Sequence, residues 1–147
     1  MKNILIALVF VLAGSLQGQS YKVDTVTNTS AVQSIANNPL LFGIKVTLEE
    51  LISKHYELSD TGKIITADIN SVEMPEELIN IIGLQFLKRE YIVKCKVNFA
   101  GKELIGEAKQ TIFVNAMFVQ VTEIPHNKKA ISKAIQKALE KAINSNK

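Results

Sequence analysis

Between Tyr91 and Phe99 the chain alternates: Tyr91, Val93, Cys95, Val97 and Phe99 share one phase, while Lys94, Lys96 and Asn98 share the other. A period of two sends successive side chains to opposite faces of a strand, so this segment reads as a β-strand with one buried face. A sheet with one apolar face needs a second layer to cover it. The sequence supplies that layer at its far end. After Pro125, the pairs Ala130-Ile131, Ala134-Ile135, Ala138-Leu139 and Ala142-Ile143 recur every four residues, which is the spacing of a broad apolar stripe on a helix.

The remaining elements follow from the same two periods. Tyr21–Thr27 alternates as a short first strand, and the Asn/Ser/Thr-rich stretch 28–38 reads as a loop. Asn38-Pro39 has the chemistry of a helix start, an Asn cap followed by a proline that tolerates the first position. Leu41, Ile44, Leu48, Leu51, Ile52 and His55 then predict helix one over 39–55. Ser59–Gly62 is a turn, Lys63–Val72 a second strand with Ile65, Ala67 and Ile69 on one face, and Tyr91–Phe99 the third. Ala100-Gly101 turns the chain into a fourth strand over Lys102–Val114. The order β-α-β-β-β-α predicts an α+β fold: a two-layer sandwich of a four-stranded mixed sheet with two helices on one face. Strands one and two should be parallel with a right-handed crossover, followed by an antiparallel meander.

The N-terminus carries an address. Lys2 precedes an apolar run, Ile4–Leu12, which small residues follow (Gly14, Ser15, Gly18, Ser20). This is the layout of a secretory signal peptide over residues 1–20, and the run is far shorter than the roughly 20 residues a spanning helix needs. The expectation is a single domain over 21–147, exported to the periplasm with the extracellular space as the alternative, and with no transmembrane segment in the mature chain. A mature chain of about 127 residues is long enough to bury a core. Cys95 is the only cysteine, so no internal disulfide can form, and Gln19-Ser20 stand where a lipoprotein would need its acylated cysteine. From Lys128 onward there are six lysines against Glu140 alone. They form a solvated helix face or a contact for an acidic partner or anionic headgroups. Nucleic acid is excluded as a partner, because the chain is exported and has few aromatics among its basic residues.

No constellation here carries catalysis. His55 lies on the stripe at the end of helix one, where a core-edge or capping role is expected. His126 stands in a loop with no second ligand nearby. Glu49-Glu50 and Glu76-Glu77 are adjacent pairs that point apart on a helix. The chain has no phosphate loop, nucleophile elbow or metal-spaced Cys/His set. The expectation is therefore no enzyme, no cofactor and no metal. The unusual stretch is 76–87, EELINIIGLQFL, a connection in which polar turn residues are expected but large apolar ones stand. A second apolar run, Phe113–Val121, lies beyond the charged part of strand four. If the Ala100-Gly101 turn pairs Asn98 with Glu103, the same ladder places Phe86 opposite Asn115 and Leu84 opposite Met117. Leu78, Ile79, Ile82, Leu84, Phe86, Met117 and Phe118 are thus candidates for a partner or ligand surface, the alternative being that they close the core.

The element order, with "LLFGIKVTLEELISKHYELSD", "KIITADI", "YIVKCKVNF", "KELIGEAK" and the closing Ala/Ile helix, resembles a bacterial envelope module. It resembles the lipopolysaccharide-assembly lipoproteins that sit inside an outer-membrane barrel, and it is similar to the N-terminal domain of the Tol-system propeller proteins. The chain departs from the former in having no lipobox cysteine, and no functional residues carry over. The resemblance implies a non-enzymatic envelope accessory or assembly protein acting on an envelope protein partner, with an outer-membrane protein as one candidate. The alternatives are a small binding module for a lipid or other apolar ligand, held between the sheet and 76–87, and a secreted inhibitor or effector.

Overall fold

A computed structural model describes residues 18–35, 37–117 and 120–146. The signal-peptide reading falls on residues outside this set, apart from Gly18–Ser20. The described chain runs β1 (Ser20–Asn28), β2 (Ser34–Ile35), β3 (Asn38–Pro39), α1 (Ile44–Ser53), β4 (Glu57–Leu58), β5 (Lys63–Glu73), β6 (Glu76–Ile81), β7 (Leu84–Phe99), β8 (Lys102–Asn115) and α2 (Lys128–Asn144). A one-turn 3-10 helix at Val121–Glu123 precedes α2.

The expected four-stranded sheet is not what forms. The sheet has six strands, and β2 and β3 make a separate two-stranded ribbon. Of the two added strands, the two-residue β4 lies beside β1, and β6 arises because β7 runs for 16 residues. Along one edge its C-terminal half pairs with β5 and its N-terminal half with β6, while β8 pairs along its other edge. The predicted connection 76–87 is therefore itself a hairpin, with Ile82-Gly83 as its two-residue turn. Both turn residues have positive φ, 50° and 76°, as a type I′ hairpin turn requires. An Ile-Gly pair lacks the Asn-Gly signature of such turns, which is why the hairpin was illegible.

Strands β1 and β5 are parallel, as expected, and β4 adds to the other edge of β1 in parallel. The β7–β8 ladder has the predicted register over its whole length, including Cys95 opposite Gly106, Lys94 opposite Glu107 and Phe86 opposite Asn115. Leu84 pairs instead with Ile81 across the hairpin.

Helix α1 starts five residues later than predicted. Proline disfavours the α region for the residue before it, and Asn38-Pro39 takes up an extended pairing with Ser34-Ile35 instead of capping a helix. The helix begins after Gly43, and His55 lies past its end as an exposed residue against the Tyr56 ring. Helix α2 buries the eight predicted Ala, Ile and Leu side chains, and the Asn127 side chain accepts from the Ala130 N–H as its N-cap.

The inward phase of β7 (Tyr91, Val93, Cys95, Val97, Phe99) joins Ile65, Ala67 and Ile69 of β5 and the apolar stripes of both helices in one core. At its centre α2 crosses β8 so closely that a Cβ on Gly106 would lie 1.9 Å from the Ala138 carbonyl oxygen and 2.6 Å from the Ala142 amide nitrogen. Glycine is required there because the helix backbone occupies the space of a side chain. Opposite it, Cys95 is fully buried. Burial, with a smaller push from the Asp68 charge, raises its thiol to about 12, so the thiolate that carries cysteine reactivity is suppressed.

Candidate functional site

Beyond the main core, β6, β7 and β8 continue as a three-stranded arm. Directly opposed residues of an antiparallel pair share a face, so the ladder assigns each side chain of the arm. The inner face carries Leu87 and Val114, which form a small separate core with Ala116, Val121 and Ile124. The outer face carries Ile79, Ile81, Leu84, Phe86 and Phe113. Of these, Ile81, Leu84 and Phe113 are exposed and Ile79 and Phe86 half-buried. At the tip, Ile82 is 97% exposed.

The apolar stripe gives way to charge at the base of the arm. On the same outer face Lys88 reaches Glu77 at 3.6 Å and Glu90 at 3.4 Å, and Lys109 reaches Glu90 at 3.2 Å. The hydrogen bond from Lys109 is the main influence holding the Glu90 carboxyl below its usual range, and Glu90 in turn raises Lys88. An apolar centre with an ion-paired rim is the anatomy of a docking surface.

Of the candidates, Ile79, Leu84 and Phe86 thus gather on one face. Ile82 stands at the tip, and Leu78 lies on the inner side yet is exposed at the edge. Met117 is partly exposed just past β8, where the Ala116 N–H still bonds to the Gln85 carbonyl. Phe118 lies outside the described residues. Ile81 and Phe113 belong to the patch and were not singled out. Extending the period of two forwards along β8 places Phe113 on the outer face, whereas Ile81 shares the parity of Tyr91 and reaches that face only through the Ile82-Gly83 turn, which pairs it with Leu84.

The arm is held by a residue that sequence reasoning passed over. Arg89 lies in the inward phase two positions before Tyr91 and is 2% exposed. Its Nε donates to Glu76 Oε1 at 2.7 Å, Nη1 to the Pro125 carbonyl at 2.9 Å and Nη2 to the Ile124 carbonyl at 3.1 Å. One guanidinium thereby ties β6 and β7 to the segment that leads into α2. Two residues past Pro125, Asn127 donates its N–H to the Tyr91 hydroxyl at 2.7 Å. His126 sits between them with its Nδ1 buried and unpartnered among the described residues. Burial first, then the Arg89 charge, lowers its pKa, while Glu76 opposes this. His55 lies at the end of α1, far along the chain from this cluster, and among the described residues no three His, Cys, Asp or Glu side chains group as metal ligands.

No protein-family model matches the chain, and neither does any curated protein. Among solved structures, the chain is similar to a minor lipoprotein of Acinetobacter baumannii, at 9% identity and a TM-score of 0.40 over 83% of this chain and 86% of the other. It is also similar to a hypothetical protein of Chlamydia trachomatis, at 9% identity and a TM-score of 0.45 over 88% of this chain and 95% of the other. Neither is described as a lipopolysaccharide-assembly or Tol-system protein, and at these scores the likeness is a weak one of fold that assigns no function. Among the described residues, no helix is long and apolar enough to cross a membrane.

Proposed function

We propose that this chain is an exported, non-enzymatic accessory or assembly protein of the bacterial cell envelope, acting by protein–protein contact through the β6–β7 hairpin. The observation that carries this reading is Ile82. A β-branched residue at positive φ is a steric outlier, and its side chain is almost wholly in solvent, so packing within the chain does not offset the strain. Strain that folding does not repay points to a role outside the fold. The neighbouring Ile81, Leu84 and Phe113 extend the apolar surface, and the rim of Glu77, Lys88, Glu90 and Lys109 supplies orientation. The address rests on the Lys2 and Ile4–Leu12 pattern of the N-terminus.

A photo-crosslinking amino acid at position 82, in cells that make the full chain, tests the contact. It should give a discrete adduct with one envelope protein. The same group at Ile105, exposed on β8 and paired with Lys96 well away from the arm, should give none. Adducts of equal yield from both positions, or none from position 82, would remove the docking role.

A further inference from the structure

A second surface lies at the start of α2. The turn between β3 and α1 brings Phe42 out to 88% exposure, with Leu41 also exposed beside it. Behind Phe42 is a shallow groove of about 180 Å³ with an apolar floor of Ile35, Leu40, Ile131 and Ile135 and with Lys128 at its rim. Lys129 follows directly, and both lysines are exposed. Among the described residues neither takes part in an ion pair, unlike Lys88, Lys94, Lys96 and Lys109.

We infer that this corner binds an anionic membrane surface, with Phe42 and Leu41 entering the headgroup–acyl boundary and Lys128 and Lys129 meeting lipid phosphates. Apolar side chains flanked by cations are the two complementary parts of an interfacial anchor. Exposed beside Phe42's groove and free of internal carboxylates, these two lysines leave their charge available to lipid phosphates. A side chain that projects from a turn, instead of lining a flat patch, needs a phase that deforms around it. The groove is smaller than the roughly 300–1,000 Å³ of a site that encloses a small molecule. It therefore suits the end of an acyl chain still in its bilayer, and not an extracted lipid. The surface is separate from the hairpin and does not depend on the role proposed for it.

The chain has no tryptophan, so Phe42→Trp in the mature protein creates a single reporter. With vesicles of phosphatidylglycerol and phosphatidylcholine the emission should shift to the blue and the protein should co-sediment. With pure phosphatidylcholine it should do neither. Lys128→Gln/Lys129→Gln and Phe42→Ser should each weaken co-sedimentation about tenfold or more with melting unchanged. Lys94→Gln/Lys96→Gln, the same loss of charge elsewhere, should change it by less than about twofold. Co-sedimentation without a blue shift, equal loss in the control variant, or binding to an acidic polypeptide but not to anionic vesicles would each overturn the inference.

Discussion

Gly106→Ala should lower the melting temperature by about 10 °C or more, and Gly106→Val should leave little folded protein. The added Cβ meets backbone: the Ala138 carbonyl oxygen at 1.9 Å and the Ala142 amide nitrogen at 2.6 Å. Neither can move by a change of rotamer, so all of α2 must lift from the sheet. Forced overpacking costs about 1–3 kcal/mol and occasionally more. Here the helix that moves also carries eight buried side chains, so the cost lies at or above the top of that range. For a domain of this size about 3 kcal/mol corresponds to roughly 10 °C. The neighbouring Glu107→Ala is the control. It removes a 3.3 Å ion pair with Lys94 whose partners are both about half exposed, worth under about 1 kcal/mol. Thermal unfolding followed by circular dichroism reads both. A Gly106→Ala protein that melts within about 2 °C of the parent would contradict the close crossing of α2 over β8.

Arg89→Met should be the next most damaging single change, at about 3 kcal/mol or more. Methionine fills much of the volume but leaves the Ile124 and Pro125 carbonyls and the Glu76 carboxylate without the donors they have now. Breaking a buried ion pair from one side costs about 3–5 kcal/mol. Glu76 is partly exposed and recovers some hydration, which places the expectation at the lower end. Arg89→Lys should not rescue the fold, because one ammonium lacks the planar fork that serves three acceptors in different directions. Urea unfolding gives the magnitude. Hydrogen exchange should show loss of protection at Asn127 and Ala130, whose N–H groups bond to the Tyr91 hydroxyl and the Asn127 side chain. Protection unchanged there, with stability lost only globally, would show that Arg89 does not tie the arm to the helix entry.

These two residues also mark what was legible in the sequence. Period-two and period-four patterns were enough to identify the inward phases of β5 and β7 and the buried stripe of α2, and the Ala100-Gly101 turn carried the β7–β8 register to Phe86 opposite Asn115. Gly106 was legible as Cys95's partner. That its missing side chain admits a helix backbone depends on α2's path, which no local pattern encodes. Arg89 was passed over because a charge inside a strand pattern normally ends the buried phase, and its partners lie 13, 35 and 36 residues away. The strand count fell short by the two-residue β4 beside β1 and by β6, the latter for a related reason. The turn at Ile82-Gly83 uses an isoleucine where hairpins place Asn, Asp or Gly, so the hairpin read as a continuous apolar connection. The N-cap at Asn38 failed because a short ribbon with Ser34-Ile35 claims the same residues. The candidate surface was thus found by composition, while its division into an inner core around Leu87 and an outer exposed stripe came only from the ladder.

The role of the hairpin meets its most direct test in Ile82→Asn. Asparagine tolerates the left-handed region and favours the first position of this turn, so the variant should gain about 0.5–1 kcal/mol, a rise of a few degrees in melting temperature. The same change removes the most exposed apolar side chain of the arm. If the tip exists to dock on an envelope protein, the variant should be more stable than the parent yet lose most of the complex recovered by crosslinking from the adjacent position 81. A variant that gains stability and keeps full complex formation would show that Ile82 is not part of a docking surface. A loss of stability would show that the Ile82 side chain serves the fold itself.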